Sequence, residues 1–384
     1  MEEKIFLDNA STTRINSQVN DLIYRTNTED FYNPSALYHE SVLVKQKIEK
    51  ASQDVAECLN VNPNGIIFTS GATEANNLAI MGSFTAKRGA EYIFSMGEHP
   101  SVYNVAKFLE QKGAIVHFVK LTKDGSVDID QLKSLLNENT HFVSIMFVSN
   151  ETGAINDIKQ ISNIIKSYNK NIIFHVDGVQ AFGKIKCDLK ELGVDAFTMS
   201  AHKFEGPKGV GVLYYKNTSS LKVQMLGGGQ QNALRSGTEN ISGILGLALA
   251  CKIATQNLDD NYAKIQKCRE IFVNKINQDL TGYDYKINQP NICSPYVLSV
   301  SFKGLKAQVL MNMLDEKGVI VGTGSACSSK KQENRILQNM GVPLEYVKGS
   351  IRISFSSATT VEECEKASEI LTQTVKELYA HIAK

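Results

Sequence analysis

Short apolar runs that break into polar turns, each followed by an amphipathic stretch, recur along this chain and confine it to the α/β class. Ile66-Ile67-Phe68-Thr69 predicts a strand that stops at Ser70-Gly71, with a helical pattern beginning at Ala72-Thr73-Glu74-Ala75-Asn76-Asn77-Leu78. His141-Phe142-Val143-Ser144-Ile145-Met146-Phe147-Val148 predicts a buried strand ending at Ser149-Asn150-Glu151. Ile172-Ile173-Phe174-His175-Val176 predicts another, ending at Asp177-Gly178, and Ala196-Phe197-Thr198-Met199 ends at Ser200-Ala201-His202-Lys203. Four strands thus deliver polar residues at their C-terminal ends, the edge where open α/β sheets bind ligands. One such end carries little weight, because loops are solvated anyway; four with complementary chemistry carry more.

With 384 residues the chain can bury more than one core, so two domains are expected, with a single large α/β domain as the fallback. After about residue 250 the pattern changes to a long helical stretch and then strands such as Tyr296-Val297-Leu298-Ser299-Val300-Ser301-Phe302, the place for a smaller second domain. Basic and acidic side chains nearly cancel, 41 against 40, so bulk charge calls for neither nucleic acid nor an anionic membrane as partner. The acidic start Met1-Glu2-Glu3-Lys4-Ile5-Phe6-Leu7-Asp8 lacks the apolar stretch of a secretory signal, and no window reaches the roughly 20 apolar residues of a membrane helix; the expected location is the cytoplasm. Seven scattered cysteines, an odd count without a Cys-x-x-Cys pair, argue against a disulfide framework or a zinc site. Cys327 stands apart in Gly322-Thr323-Gly324-Ser325-Ala326-Cys327-Ser328-Ser329, where small and polar neighbours predict an exposed, mobile thiol. The glycine clusters 206–211 and 227–229 match neither a dinucleotide fingerprint nor a Walker loop.

Three sites carry chemistry, each with a plainer alternative. Ser70-Gly71-Ala72-Thr73-Glu74 is a strand-to-helix turn suited to an anion, or simply a capped helix start. Asp177, at a buried sheet edge, needs a cationic or hydrogen-bonding partner such as a protonated pyridine nitrogen; otherwise it caps a turn. Lys203, desolvated between His202 and Phe204, suits Schiff-base formation with an aldehyde, or is a surface lysine before a Gly-Pro turn. In this order, phosphate turn, ring-nitrogen acid and lysine describe one cofactor.

The set Ser70-Gly71-Ala72-Thr73-Glu74, Glu98-His99, Asn150-Glu151-Thr152-Gly153, His175-Val176-Asp177-Gly178-Val179-Gln180, Ser200-Ala201-His202-Lys203, Arg235-Ser236-Gly237-Thr238 and Gly324-Ser325-Ala326-Cys327 resembles the cysteine desulfurases. These are NifS/IscS-like members of the class V aminotransferase group, and the resemblance runs from Leu7-Asp8-Asn9-Ala10-Ser11-Thr12-Thr13 to Ile351-Arg352-Ile353-Ser354. It implies a fold-type I pyridoxal-phosphate enzyme: a large domain over residues 14–258 with a mostly parallel seven-stranded sheet between helices, and a smaller α+β domain, 259–384 with 1–13, carrying the mobile Cys327 loop. It implies pyridoxal 5'-phosphate as cofactor, Lys203 as the lysine that carries it, Asp177 on the pyridinium nitrogen and Gln180 as donor to the phenolic oxygen. Ala72, Thr73, Ser200 and His202 fall where the family binds phosphate, Asn150 beside the phenolic oxygen and substrate, and His99 where a histidine stacks on the ring and assists proton transfer. Thr238 falls where a residue reaches the neighbouring subunit's phosphate, which implies a homodimer with shared sites. Arg352 matches the clamp on the substrate carboxylate, with Asn33 a further substrate contact.

The implied reaction removes sulfur from L-cysteine, leaving L-alanine and a persulfide on Cys327 that passes to an acceptor protein, an iron–sulfur scaffold or a tRNA-thiolation protein. No resident metal is implied, only transient iron–sulfur contact through Cys327, and no direct nucleic acid or membrane partner. The segment Ser328-Ser329-Lys330-Lys331-Gln332-Glu333-Asn334 is more basic than the family's usual one, and the chain ends soon after Leu378-Tyr379-Ala380-His381; both leave the acceptor's identity open. A selenocysteine lyase, an aminotransferase or racemase, and a non-catalytic sulfur carrier are the rival readings. A mobile thiol argues against transamination; intact Lys203, Asp177 and Arg352 argue against a mere scaffold.

Overall fold

The structure, a computed structural model, describes residues 4–85, 87–323 and 335–382. Its strands are β1 (Ile5–Leu7), β2 (Ile66–Thr69), β3 (Glu91–Ser95), β4 (Ile115–Val119), β5 (Thr140–Met146), β6 (Ile173–Asp177), β7 (Ala196–Ser200), β8 (Gly211–Tyr215), β9 (Tyr285–Ile287), β10 (Val297–Phe302), β11 (Val319–Val321) and β12 (Ser350–Ser354). Among the described residues seven strands form one sheet in the order β2-β8-β7-β6-β5-β3-β4. Only β8 runs against its neighbours; the β3–β4, β3–β5, β5–β6 and β6–β7 pairings are parallel. Parallel sheets are covered on both faces, and the strands show it: β5 residues Val143, Ser144 and Ile145 and β6 residues Phe174, His175 and Val176 are all essentially inaccessible. The α/β class expected from the strand rhythm and the mostly parallel seven-stranded sheet implied by the family resemblance are therefore present.

The strand ends differ by a residue or two from the sequence reading, and one difference matters. Asp177 is the last residue of β6 rather than the first of the turn, paired with Met146 on one side and Thr198 on the other. The ladder fixes its carboxylate on the sheet edge more rigidly than a loop would. Phe147 and Val148, expected in the strand, leave it where that pairing stops; Phe147 N–H bonds back to the Asp177 carbonyl.

A second core, built from residues such as Leu7, Phe272, Leu298, Phe302, Val319, Ile353 and Leu371, is separate from the one around the large sheet. Its strands form a β12-β10-β9 antiparallel sheet and a parallel β1–β11 pair. Residues Ile336, Leu337, Met340, Val342 and Val347, although late in the chain, pack on the core of the large sheet. Bridges Asp8↔Ser354 and Gly322↔Arg352 bring the ends of β1, β11 and β12 together beside the C-terminal edge of the large sheet. A β-carbon on Gly322 would lie 2.2 Å from Asp8 Oδ1, so glycine there lets the carboxylate lie against the strand. Among the described residues no single helix is long and apolar enough to cross a membrane.

Candidate active site

The strand ends converge on a cavity of about 490 Å³ between the large sheet and the second core. Asp177, 2% exposed, forms its floor. Its Oδ2 accepts from Asn76 Nδ2 at 2.9 Å and its Oδ1 from the Val179 N–H at 3.1 Å. Asn76, on helix Ala72–Gly82, also donates to Ser101 Oγ at 2.9 Å, and that hydroxyl lies 2.8 Å from His99 Nδ1. His99 caps helix Pro100–Gln111, its Nδ1 accepting from the Ser101 N–H at 3.2 Å. With Nδ1 an acceptor, the neutral ring is assigned its proton on Nε2. Burial pushes the imidazole pKa down; the Asp177 charge opposes that, and Lys203, Arg335 and Arg352 reinforce it.

The turn after β2 is built to leave a helix start open. Gly71, with φ near 151°, occupies the N-cap of Ala72–Gly82, and no side chain caps the helix. Glu74 Oε2 instead accepts from the Ser70 N–H at 2.7 Å, and the carboxylate is held by Arg235 Nε at 2.8 Å. The plainer reading of this segment, a Ser/Thr cap, is therefore not what forms. Ala72, Thr73, Ser200 and His202 line the cavity here, where N-terminal N–H groups favour an anion. The His202 ring, 3.1 Å from Thr12 Oγ1, is lowered to about 4 by burial and by Lys203, Lys208 and Lys184.

Lys203 follows β7, and its ammonium donates to the Ala10 and Ser11 carbonyls, both at 2.7 Å. Gln180 Nε2 donates to the same Ala10 carbonyl at 2.9 Å, while its Oε1 accepts from buried Lys184 at 2.6 Å. The N-terminal segment is thus part of the site, a contact between residues nearly two hundred positions apart.

Arg352, 4% exposed on β12, closes the opposite end. Its Nη2 donates to Asp8 Oδ1 at 2.7 Å and its Nη1 to the Asn150 carbonyl at 2.9 Å. Arg352 Nε, Asn150 Oδ1, Glu151 Oε2 and Glu98 Oε2 are buried without a hydrogen-bond partner among the described residues. Glu98 Oε1 accepts from the Met146 N–H at 2.6 Å. Burial and the nearby Asp177 charge push the Glu98 carboxyl well up, against the Met146 N–H and Arg335. Burial raises Glu151 to about 7, against Arg352 and Arg335. Arg335 reaches the Met96 and Glu98 carbonyls, its guanidinium 4.1 Å from the centre of the Tyr103 ring.

Of the residues singled out in the sequence, Ala72, Thr73, His99, Asn150, Asp177, Gln180, Ser200, His202, Lys203 and Arg352 line one cavity. Asn33 and Thr238 do not line it. Both are exposed, and Asn33 Oδ1 accepts from the Ser35 N–H at 2.9 Å. Cys327 lies outside the described residues; Thr323, four positions before it, is on the cavity wall. Sequence reasoning missed Asn76, Ser101, Arg335, Asp8 and Lys184. Asn76 had a signal, one helical turn after Thr73 on the same face; Arg335 had none.

Comparison with known proteins agrees with this geometry. Residues 5–366 match the Aminotransferase class-V family. A curated relative named cysteine desulfurase IscS, from Clostridium botulinum strain Hall, is 36% identical over 98% of this chain and 96% of its own. A solved NifS-like protein superposes with a TM-score of 0.91 at 34% identity, covering 97% of this chain and 99% of its own. A further structure, SspA in complex with cysteine, has a TM-score of 0.78 at 26% identity over 92% of this chain and 99% of its own. The full-length match to both sequence and architecture places this chain in the class V aminotransferase family, among its NifS/IscS-like cysteine desulfurases.

Proposed function

We propose that this protein removes sulfur from L-cysteine, releasing L-alanine and holding the sulfur as a persulfide on Cys327. The observation that carries the reading is one cavity lined by Lys203, Asp177 and Arg352, with Thr323, four positions before Cys327, on its wall. The residues fit pyridoxal phosphate: an uncapped helix start for phosphate, a buried carboxylate for the ring nitrogen, a lysine for the aldehyde, and the unpartnered Asn150 Oδ1. When bound, the cofactor supplies an electron sink for the bond-breaking at the substrate.

The chain's own groups do the rest. Arg352, steadied by Asp8 and the Asn150 carbonyl, presents guanidinium donors to the substrate carboxylate. Lys203 moves the proton at the substrate α-carbon, and neutral His99 is placed to hold or deliver a proton through Nε2. The Cys327 thiolate attacks the substrate sulfur; the carbon–sulfur bond breaks, a sulfur–sulfur bond forms, and the carbon skeleton takes up protons to become alanine. Atoms balance without an external oxidant.

The remaining readings belong with this one. Exposed Thr238 and the Gly227-Gly228-Gly229 segment suit contact with a second copy, and a homodimer with shared sites is proposed. The division into 14–258 and 259–384 with 1–13 is supported by the separate cores, apart from Ile336, Leu337, Met340, Val342 and Val347, which pack with the large sheet. A substrate contact for Asn33 is supported by the family resemblance alone, since Asn33 does not line the cavity, and the cytoplasm is the inferred location. An iron–sulfur scaffold or tRNA-thiolation protein is the proposed acceptor, met through Cys327, which could then contact iron transiently. Single-turnover reaction of the purified holoprotein with L-cysteine tests the whole: alanine should appear in step with a one-sulfur mass gain on the Cys327 peptide. Alanine formed at the same rate by Cys327→Ala without added thiol would rule the thiol's role out.

A further inference from the structure

Lys184 is 3% exposed, does not line the main cavity, and lies behind Gln180 in the turn that follows β6. Its ammonium donates to Gln180 Oε1 at 2.6 Å and sits 5.8 Å from the centre of the Tyr296 ring. A small cavity of about 30 Å³, lined in part by Lys184, Glu205 and Tyr296, adjoins it. Burial lowers this ammonium to about 7, with Lys203 and Arg352 adding repulsion and Glu205 opposing them. A buried cation with such neighbours is costly, and packing alone would favour an apolar chain of the same length.

We propose that Lys184 is a positioning residue that fixes which way the Gln180 amide faces, with its oxygen inward on the ammonium and its NH2 outward into the cavity. A side-chain amide is nearly symmetric in shape, so its neighbours decide its orientation. An ammonium only donates, so only Oε1 can face it; the Ala10 carbonyl only accepts, so only Nε2 can face that. These two one-way partners differ in permanence. Ala10 is on the cavity wall, where a ligand oxygen competes for Nε2, whereas Lys184 lies beneath the wall and stays in place. Once a ligand has taken Nε2 from Ala10, Lys184 alone keeps Gln180 a donor.

The inference rests on the proposed role of Gln180 as donor to the cofactor's phenolic oxygen, and the test separates the two. The readout is the pH midpoint of the bound cofactor's absorbance in purified holoprotein. Gln180→Ala should shift it by about one unit. Lys184→Met keeps the stem and removes the donor; it should shift the midpoint in the same direction by about half as much. In the Gln180→Ala background, Lys184→Met should add nothing. No shift in Gln180→Ala overturns the Gln180 role and this inference with it. A shift there with none in Lys184→Met overturns the inference alone. So does a Lys184→Met shift that persists in the Gln180→Ala background, because that describes a charge acting directly.

Discussion

The two ends of the cavity differ in how complete they are. At the end formed by the large sheet, the Asp177 oxygens, Asn76 Nδ2, His99 Nδ1, Lys203 and Gln180 all have partners. At the end where β12 meets Asn150, Arg352 Nε, Asn150 Oδ1 and Glu151 Oε2 are buried with none among the described residues, whereas the sheet end leaves only Asn76 Oδ1 and Glu98 Oε2 so. A buried polar atom left unpaired costs about 1–3 kcal/mol. Tolerating several together is sensible where a ligand will complete them. The sheet end is largely a prebuilt seat, and the β12 end has the open donors and acceptors that the proposed substrate-carboxylate site needs.

The comparison is broken most severely at the seat. Lys203→Ala removes both the proposed attachment point and the proposed proton carrier, so turnover should fall by about four orders of magnitude or more. The seat's other groups do not depend on the Lys203 ammonium, so circular dichroism and the thermal midpoint should stay near the wild-type values. Alanine production near the wild-type rate would remove Lys203 from the chemistry. A lost fold would instead show that the Ala10 and Ser11 contacts hold the N-terminal segment in place.

Arg352→Lys sharpens the contrast at the open end. Lysine keeps the charge but cannot serve Asp8, the Asn150 carbonyl and a substrate carboxylate with one planar fork. Losing a charge-assisted pair of roughly 1.5–3 kcal/mol predicts a fall in kcat/KM of about 10- to 150-fold, carried mostly by KM. The cofactor spectrum should not move, since this end does not build the seat. An unchanged KM for L-cysteine would move the carboxylate site elsewhere.

The same division explains what could be read from the sequence. The seat was legible because consecutive apolar residues mark strands buried on both faces, and each strand's first polar residues then fall on one edge: Thr73, Asp177 and Lys203 each follow such a run or end it. The resemblance to a known family assigned roles to those residues and added His99, Gln180 and Arg352. What stayed hidden depends on contacts distant along the chain. Asp8 meets Arg352 across 344 positions, and Arg335 meets Glu98 across 237. No local pattern encodes that approach. Gln180 and Lys184 are only four apart, yet their contact depends on a turn, where helical spacing gives no warrant.

The smallest expected effect tests whether the open end carries an energetic cost. Glu151 holds its proton up to about pH 7 in the folded chain, against an ordinary value of 4.5, because burial disfavours the charge. Between those values the folded state binds more protons than the unfolded one, so stability is greatest below about pH 4.5 and declines as pH rises through 7. Glu151→Gln removes the titration and keeps the size. The ligand-free variant should be more stable than wild type by about 1–3 kcal/mol at pH 8, with the gain shrinking to nothing toward pH 4.5. The lower part of that range is expected, because the residue as a whole is half-buried. Denaturant titrations at several pH values measure it directly. At the seat the corresponding swap, Asp177→Asn, should have the opposite sign: an NH2 group would face donors already aimed at the carboxylate from Asn76 and Val179. Equal signs at the two positions would dissolve the distinction between a prebuilt seat and an open end.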